Sequence, residues 1–337
     1  MSDPIDLVLF AAVPDRSMFD QGFYAAEIDG LRQQPAVRRV VAINDLDELR
    51  RTDAAGIISY FYSHSAAVGA IARMKGIPAI ATGGGEQLFH DPTTSARTYA
   101  LRLAAFHACT ILLDRILATS TSDFERMRGI ARFGRERIEL SFHGVAAVER
   151  ASPAHFAYER APSSLVTIAG LDTELNVRRK GVLEAVDLLA RFHACDPAAS
   201  LTIVGRTTCR DMVAAYATRL GIADRVSFAG YVTEDEKLDL LHKSRFYVQL
   251  SEYEGFGIGA LEALAHGCQV IHTNVGGLRD TIGDYGIVVP KSAVRDFDVS
   301  SITPPETLNW AKFKDHLSKF EVNKRAKSLL QGLGFDS

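Results

Sequence analysis

The feature that most constrains this chain is an alternation. Short apolar runs recur along the sequence, each followed by a segment with helical periodicity. Ile5–Ala12, Val37–Ile43, Gly56–Tyr60, Pro78–Ala81 and Ile116–Thr119 read as buried strands, and Phe23–Gln33, Ala66–Lys75 and Ala96–Leu113 as helices between them. Strands that are apolar on both faces and separated by helices pair in parallel and are covered on both sides. Ser122, with Glu125 three residues on, has the form of a capping box that opens a further helix.

The pattern lapses over residues 146–163, where Ala161-Pro-Ser-Ser reads as a linker, and then resumes. Leu165–Ala169, Leu201–Val204, Val226–Phe228, Phe246–Leu250 and Val270–His272 read as strands, with helices at Gly181–Phe192, Asp211–Leu220, Glu234–Lys243 and Gly257–His266. Glu306–Leu330 reads as one amphipathic helical segment. A length of 337 residues suggests two domains at ~150 residues each, because single cores rarely grow past ~250–300 residues. The expected fold class is therefore α/β, with two tandem Rossmann-like parallel-sheet domains facing a cleft. The expected boundaries are 1–150, 151–304 and a C-terminal helical segment, 305–337, crossing back to the first domain. Ligands of open α/β sheets bind beyond the carboxyl ends of the strands, so the chemistry belongs to loops that follow strands.

Composition excludes several classes. Hydrophobic residues make up 47% of the chain and charged residues 23%, which excludes a mainly disordered chain. Lys plus Arg (38) and Asp plus Glu (41) leave a net charge of −3, against a generic nucleic-acid binder. Cys109, Cys195, Cys209 and Cys268 form no CxxC pair, which argues against a cysteine zinc site or a disulfide framework and fits a reducing compartment. The first residues carry acid rather than base before the apolar run, unlike a secretory signal. The most apolar long stretch, Tyr99–Leu117, is broken by Arg102, His107, Asp114 and Arg115. A cytoplasmic protein is expected, with peripheral contact at the inner face of a membrane left open. The Arg-rich stretch Phe124–Leu140, read as a basic helix, could make that contact, although its glutamates favour a solvated face.

The segment richest in chemistry is Ser251-Glu-Tyr-Glu-Gly-Phe-Gly-Ile-Gly-Ala-Leu-Glu, which follows a strand and opens a helix. Gly255, Gly257 and Gly259 leave little side chain at the helix start. Free N–H groups and the helix dipole there suit an anion. Glu254 precedes the glycines, and Glu262 lies roughly 7–8 Å into the helix at ~1.5 Å per residue. A diphosphate on the N-terminus would have one carboxylate on each side, one suited to sugar hydroxyls and the other to a ribose. The bland alternative is a glycine-rich turn with two solvated glutamates. Gly255-x-Gly257-x-x-Ala260 also matches a dinucleotide fingerprint, but Thr273-Asn274-Val275-Gly276 stands where that fingerprint needs an acid. Gly83-Gly84-Gly85-Glu86 follows a first-domain strand and allows close approach of a ligand. Asp45-x-Asp47 could hold a divalent metal on a diphosphate, but reads more simply as a helix N-cap pair.

The Glu254–Glu262 spacing and its wording resemble the family-4 (group 1) retaining glycosyltransferases, which adopt the glycosyltransferase B fold. That wording is Tyr-Glu-Gly-Phe-Gly, then Leu-Glu-Ala-Leu-Ala-His-Gly, then Gly276-Gly277. Arg179-Lys180-Gly181 opening a helix, Leu201-Thr-Ile-Val-Gly205, and Val226-Ser-Phe-Ala-Gly-Tyr-Val232 with Glu236-Lys-Leu extend the likeness over residues 165–290 in the family's order. The resemblance implies a metal-independent, retaining transfer of a sugar from a nucleoside-diphosphate sugar to a glycan or lipid-linked glycan hydroxyl. It implies no cofactor, no bound metal and no nucleic acid, and a role of the bacterial polysaccharide or lipopolysaccharide type. The second domain would bind the donor and the first the acceptor. Glu254, Lys180 and Arg179 are the implied catalytic groups. Gly22, Gly205, Arg206, Tyr231, Val232, Gly255, Phe256, Gly257, Ile258, Gly259 and Glu262 are the implied donor contacts. Gly84, Gly85 and Glu86 line the acceptor side.

Two departures stand out. Glycine occupies the place of the family's usual cleft histidine, with His90 displaced from it. Leu171 stands where an arginine is common, so that Arg178 or Arg179 would substitute. They motivate the alternative of a nucleotide-sugar-binding protein without transferase activity.

Overall fold

The computed structural model describes residues 3–20, 22–89, 94–302 and 308–335, and of Glu86 only the backbone. Among the described residues, twelve strands form two six-stranded sheets in which every pairing is parallel. The first sheet comprises β1 (Ile5–Ala11), β2 (Val37–Ile43), β3 (Gly56–Tyr60), β4 (Ala79–Thr82), β5 (Arg115–Ala118) and β6 (Ile138–Leu140), in the order β2-β1-β3-β4-β5-β6. The second comprises β7 (Ser164–Ile168), β8 (Ser200–Val204), β9 (Val226–Gly230), β10 (Phe246–Gln249), β11 (Gln269–His272) and β12 (Gly286–Val288), in the order β12-β11-β10-β7-β8-β9. The edge strands β6 and β12 are absent from the sequence reading, because three residues are too few to display a strand pattern.

The chain divides into two compact units, Met1–Ala146 with Lys319–Ser337, and Ala147–Ser318. In the first unit, Val8, Phe10, Ile57, Ala79 and Ile116 face the helices Tyr62–Lys75 and Ala96–Leu112. Leu7, Leu9, Ile58, Ile80 and Leu117 face the other way, against the helices Gly22–Arg32 and Val322–Gly332. The latter helix supplies Ala326, Leu329 and Leu330 to that core. Gly30 allows the two helices to meet, since a Cβ there would lie 2.5 Å from Val322 Cγ1.

A buried polar knot fastens this returning helix. Arg325 donates from Nε to Glu27 Oε1 at 2.9 Å, from Nη1 to Ser141 O and Oγ at 3.0 and 2.8 Å, and from Nη2 to Thr82 Oγ1 at 2.7 Å. His143 Nδ1 lies 2.8 Å from the same Glu27 oxygen. Burial opposes the charge on Glu27, but Arg325 and His143 outweigh it and hold the carboxyl below its ordinary range.

Three local expectations need correction. The helix near Ser122 starts at Thr121, and its cap is Ser120, whose side chain accepts from Asp123 N; Glu125 is no part of a capping box. The Arg-rich stretch is not one helix. It ends at Ile130, turns at Gly134 in the left-handed region, and continues as a 3-10 turn and β6. Arg137 spends its guanidinium on the carbonyls of Ile111 and Leu113. The C-terminal segment is two helices, Trp310–Ser318 in the second unit and Val322–Gly332 in the first. Among the described residues, no helix is long and apolar enough to cross a membrane.

Candidate active site

In the second unit the strand order reverses between β7 and β10, which pair through Leu165 with Phe246 and Val166 with Tyr247. Sequential connections leave these two strands in opposite directions across the sheet, which opens a crevice at their carboxyl ends. The loop after β7 leads to Lys180, and the loop after β10 carries Glu254.

Lys180 Nζ lies 2.6 Å from Glu254 Oε2 in a pair largely removed from solvent. Two groups to which the sequence reading gave no role hold the same oxygen: Gln249 Nε2 donates at 2.6 Å and Ser251 Oγ at 3.4 Å. Gln249 is itself oriented by the buried Tyr247, whose hydroxyl donates to Gln249 Oε1 at 3.1 Å. Burial works against a charge on Glu254, but Lys180, then Arg179 and Gln249, outweigh it and keep the carboxylate ionised. Arg179 reaches the carbonyl of Tyr253 at 3.4 Å, and its own carbonyl accepts from Glu252 N at 2.8 Å. Lys291 closes the loop's outer side, 2.8 Å from Glu252 Oε1 and 3.0 Å from Glu184 Oε1.

Arg179 and Lys180 were expected to open a helix. Instead they end one: the helix is Glu174–Arg179, capped at its start by Thr173 and at its end by Lys180. Gly181 then begins the next helix, Val182–Cys195, in the left-handed region at φ +68°. A Cβ at Gly181 would lie 1.9 Å from Leu250 O, so only glycine lets Lys180 sit against the end of β10. The two cations thus lie at a helix carboxyl end, where the dipole favours positive charge.

Gly257, at φ +92°, caps the helix Ile258–Ala265. Its neighbour Gly259 does a different job from the anion contact expected of it: a Cβ there would lie 2.7 Å from the Tyr247 hydroxyl. Gly255 and Phe256 are covered by Gly276-Gly277, and Gly277 N donates to Glu254 O at 2.8 Å. Ile258 is half-buried.

Glu262 is not a solvated glutamate either. It pairs at 2.9 Å with Lys237 Nζ, a partner that sequence reading did not single out. Burial pushes the Glu262 carboxyl up despite Lys237, and Lys237 itself is raised by its two glutamates, Glu262 and Glu234, against its own burial. The sheet end carries two buried carboxylate–lysine pairs, each built from residues far apart in sequence.

The remaining expected donor residues are more dispersed. Gly205 ends β8, where a Cβ would lie 2.4 Å from Ala169 O. Arg206 is exposed and pairs with Asp172 at 3.2 Å. Tyr231, 71% exposed, and half-buried Val232 follow the edge strand β9. Leu171 is wholly buried in the core, so the position offers no cation, and Arg178 is exposed while Arg179 lies on the Glu254 loop.

In the first unit, Gly22 starts the helix Gly22–Arg32 at φ +55°. Gly84 and Gly85 follow β4. Gly84 lies against Phe61, itself at φ +66°, and a Cβ on Gly85 would meet Asp123. The Glu86 side chain and His90 lie outside the described residues. Asp45 caps the helix Leu46–Arg51 through Glu48 N at 2.8 Å, and Asp47 pairs with Arg50. Asp45 and Asp47 are the N-cap pair of the simpler reading.

Residues 176–299 match the family Glycosyl transferases group 1. The chain is 34% identical over 121 residues to the glycogen synthase of Mycobacterium tuberculosis, a match covering 36% of this chain and 28% of that protein. It is 28% identical over 243 residues to the D-inositol 3-phosphate glycosyltransferase of Mycobacteroides abscessus, covering 66% of this chain and 52% of that one. The chain therefore spans about half or less of the length of these relatives. Among solved structures, Anabaena HepE in complex with UDP and glucose superposes with a TM-score of 0.67 at 16% identity, over 97% of each chain. The lipopolysaccharide outer core galactosyltransferase WaaB in its apo form gives 0.67 at 16% identity, over 98% of this chain and 99% of that one. The two parallel sheets are those of the glycosyltransferase B fold.

Proposed function

We propose, from the premise that residues 176–299 form a group 1 glycosyltransferase domain, that the chain moves a sugar from a nucleoside-diphosphate sugar to an acceptor hydroxyl. The second unit binds the donor and the first binds the acceptor, a glycan or lipid-linked glycan of the bacterial polysaccharide or lipopolysaccharide type. The observation that carries the reading is the buried Glu254–Lys180 pair beside the amino end of the helix Ile258–Ala265. A diphosphate on that helix end draws Lys180 from Glu254 towards its oxygens and frees the carboxylate for sugar hydroxyls. Lys180, Arg179 and the N–H groups after Gly257 then stabilise the departing diphosphate. Glu262 holds the ribose, with Lys237 keeping its carboxyl in place. The acceptor hydroxyl attacks on the face the diphosphate leaves, which retains configuration.

The reaction needs no metal at the reacting centre. Lys180, Arg179 and a helix end supply the countercharge, and the acids that could have held a cation, Asp45 and Asp47, are engaged within their own helix. The chain works in the cytoplasm, with peripheral contact at the membrane where a lipid-linked acceptor resides. No nucleic acid takes part.

Thermal melting with UDP, GDP, ADP and CDP, each in EDTA and in magnesium, tests this reading. A nucleotide at 100 times its dissociation constant stabilises by about 2.7 kcal/mol. A shift with one nucleotide in EDTA, and loss of sugar transfer in Glu254→Gln, are expected. A shift only with magnesium overturns the metal-free site. Donor binding without transfer or donor hydrolysis would leave a binding protein in place of an enzyme.

A further inference from the structure

Three histidines that are remote in sequence meet in the second unit, away from the glycine end of the site. His155 belongs to the short helix Pro153–Phe156, His242 to the last turn of the helix Glu234–Lys243, and His266 caps the carboxyl end of the helix Ile258–Ala265. One ring nitrogen from each lies within 4.8 Å of the other two. His242 Nε2 and His266 Nδ1 are 3.0 Å apart. The rings pack at centroid distances of 4.7, 5.0 and 5.3 Å. His266 is 2% exposed, and its Nε2 has no hydrogen-bond partner among the described residues.

The backbone around the cluster is built to bring these segments together. Arg160 Nη2 donates to the carbonyls of both His155 and His266, at 2.9 and 2.7 Å. A Cβ at Gly267 would lie 2.6 Å from His155 O, so the two segments approach as closely as backbone allows. The carboxyl ends of two helices, Glu234–Lys243 and Ile258–Ala265, converge here, and their dipoles favour a cation. Arg160 opposes one, but its guanidinium is turned to the two carbonyls.

We infer that His155, His242 and His266 form a binding site for a borderline transition-metal dication of the zinc class, separate from the sugar-transfer site. Three imidazole nitrogens suit Zn²⁺, with half-buried His155 and His242 leaving a fourth position to water. Ligands at ~2.0–2.1 Å in a tetrahedron stand about 3.3 Å apart. The pair at 3.0 Å is already close to that. The widest separation closes by about 1.5 Å, within reach of side-chain rotation at the half-buried histidines. The ion would staple the segment that enters the second unit to one end of the helix Ile258–Ala265. The other end, about 12 Å away at ~1.5 Å per residue, is the proposed diphosphate site.

The test is titration of the full chain, free of any affinity tag and stripped with EDTA, with ZnCl₂ by calorimetry, and with Co²⁺ by visible absorption. Expected are one equivalent of Zn²⁺ per chain, the strong visible bands of four-coordinate Co²⁺, and a melting temperature that rises with zinc. His155→Ala and His242→Ala should each weaken zinc binding by more than about tenfold, while His64→Ala, on an exposed helix face, leaves it unchanged. Cooperative melting of the metal-free variants at the temperature of the metal-free parent separates lost ligation from lost folding. Absence of saturable zinc uptake by the parent overturns the proposal. So does uptake that persists in the folded His155→Ala/His242→Ala double variant.

Discussion

The two units share a fold class and differ in what they do with buried charge. In the first, Glu27, His143 and Arg325 lie deep between the sheet and its covering helices, with Arg325 also tied to Ser141 and Thr82. In the second, Glu254 on the loop after β10 and Glu262 in the helix that follows each pair with one lysine, with Gln249 and Ser251 also on Glu254. A knot of several fixed partners holds structure together, whereas a lysine on one carboxylate can be drawn to a phosphate. Strand order separates the units too. The first reverses direction between β1 and β3, the second between β7 and β10. Both have a switch point, but among the described residues only the second carries charges paired between the two segments that leave it.

The largest effect that would sharpen this contrast is in the first unit. Arg325→Ala leaves Glu27 buried with His143, whose protonation burial opposes, and without its guanidinium partner. A loss of about 3–5 kcal/mol in denaturant unfolding is expected, as for other broken buried pairs. Lys180→Ala should act on the other side of the contrast, lowering the transfer rate by about 10²–10³-fold, or roughly 2.7–4 kcal/mol of barrier. Unfolding free energy that drops as far as in Arg325→Ala would make Lys180 a structural group like those of the first unit. Glu262→Gln should weaken nucleotide binding by about tenfold, roughly 1.4 kcal/mol, in calorimetric titration, with turnover of bound donor unchanged.

Acid should also act through buried histidines, His143 in the first unit and His272 in the second, both of which burial lowers. His272 is wholly buried on β11, its Nδ1 accepts from Asn274 N, and burial lowers it from 6.5 to about 4. The unfolded chain takes up this proton first, so the contribution to stability is complete above pH 6.5 and is lost as pH falls towards 4. Glu27 is depressed as well, but from a carboxylate's ordinary value, so its contribution is lost only below about pH 4.5. Melting between pH 7 and 4 should fall more gently in His272→Asn than in the parent. Equal slopes would mean that the histidine does not titrate with unfolding. Smallest of all, Asp47→Ala should move stability by no more than about 0.5 kcal/mol and leave transfer in EDTA unaltered; strict magnesium dependence in the parent, lost on Asp47→Ala, would revive Asp45 and Asp47 as ligands.

Much of the fold is legible because its signals are local. β1 to β5 and β7 to β11 each carry an apolar run bounded by turn residues, and Glu254, Gly257 and Glu262 fall within one continuous segment. What escaped reading depends on contacts between segments. Lys237 and Gln249 look like a surface lysine and a strand interruption until Glu262 and Glu254 are brought beside them. The direction of Arg179 and Lys180, ending a helix rather than opening one, is decided by the turn at Gly181 against Leu250. His155, His242 and His266 have no spacing at all in common with a metal motif. The split of the C-terminal segment is hidden because both of its halves are amphipathic, and only the core each one covers tells them apart.

The helix Val322–Gly332 gives the chain an order of assembly. Residues 147–318 are continuous, so a ribosome delivers everything the second unit contains before it delivers the last layer of the first. The sheet that is synthesised first must wait, with Leu7, Leu9, Ile58 and Ile80 only partly covered, for a helix made after the whole second unit. The unit holding the proposed donor site can therefore reach its native core on the nascent chain before the unit synthesised ahead of it. Loss of the helix Val322–Gly332 would strand the sheet made first, not the one made after it.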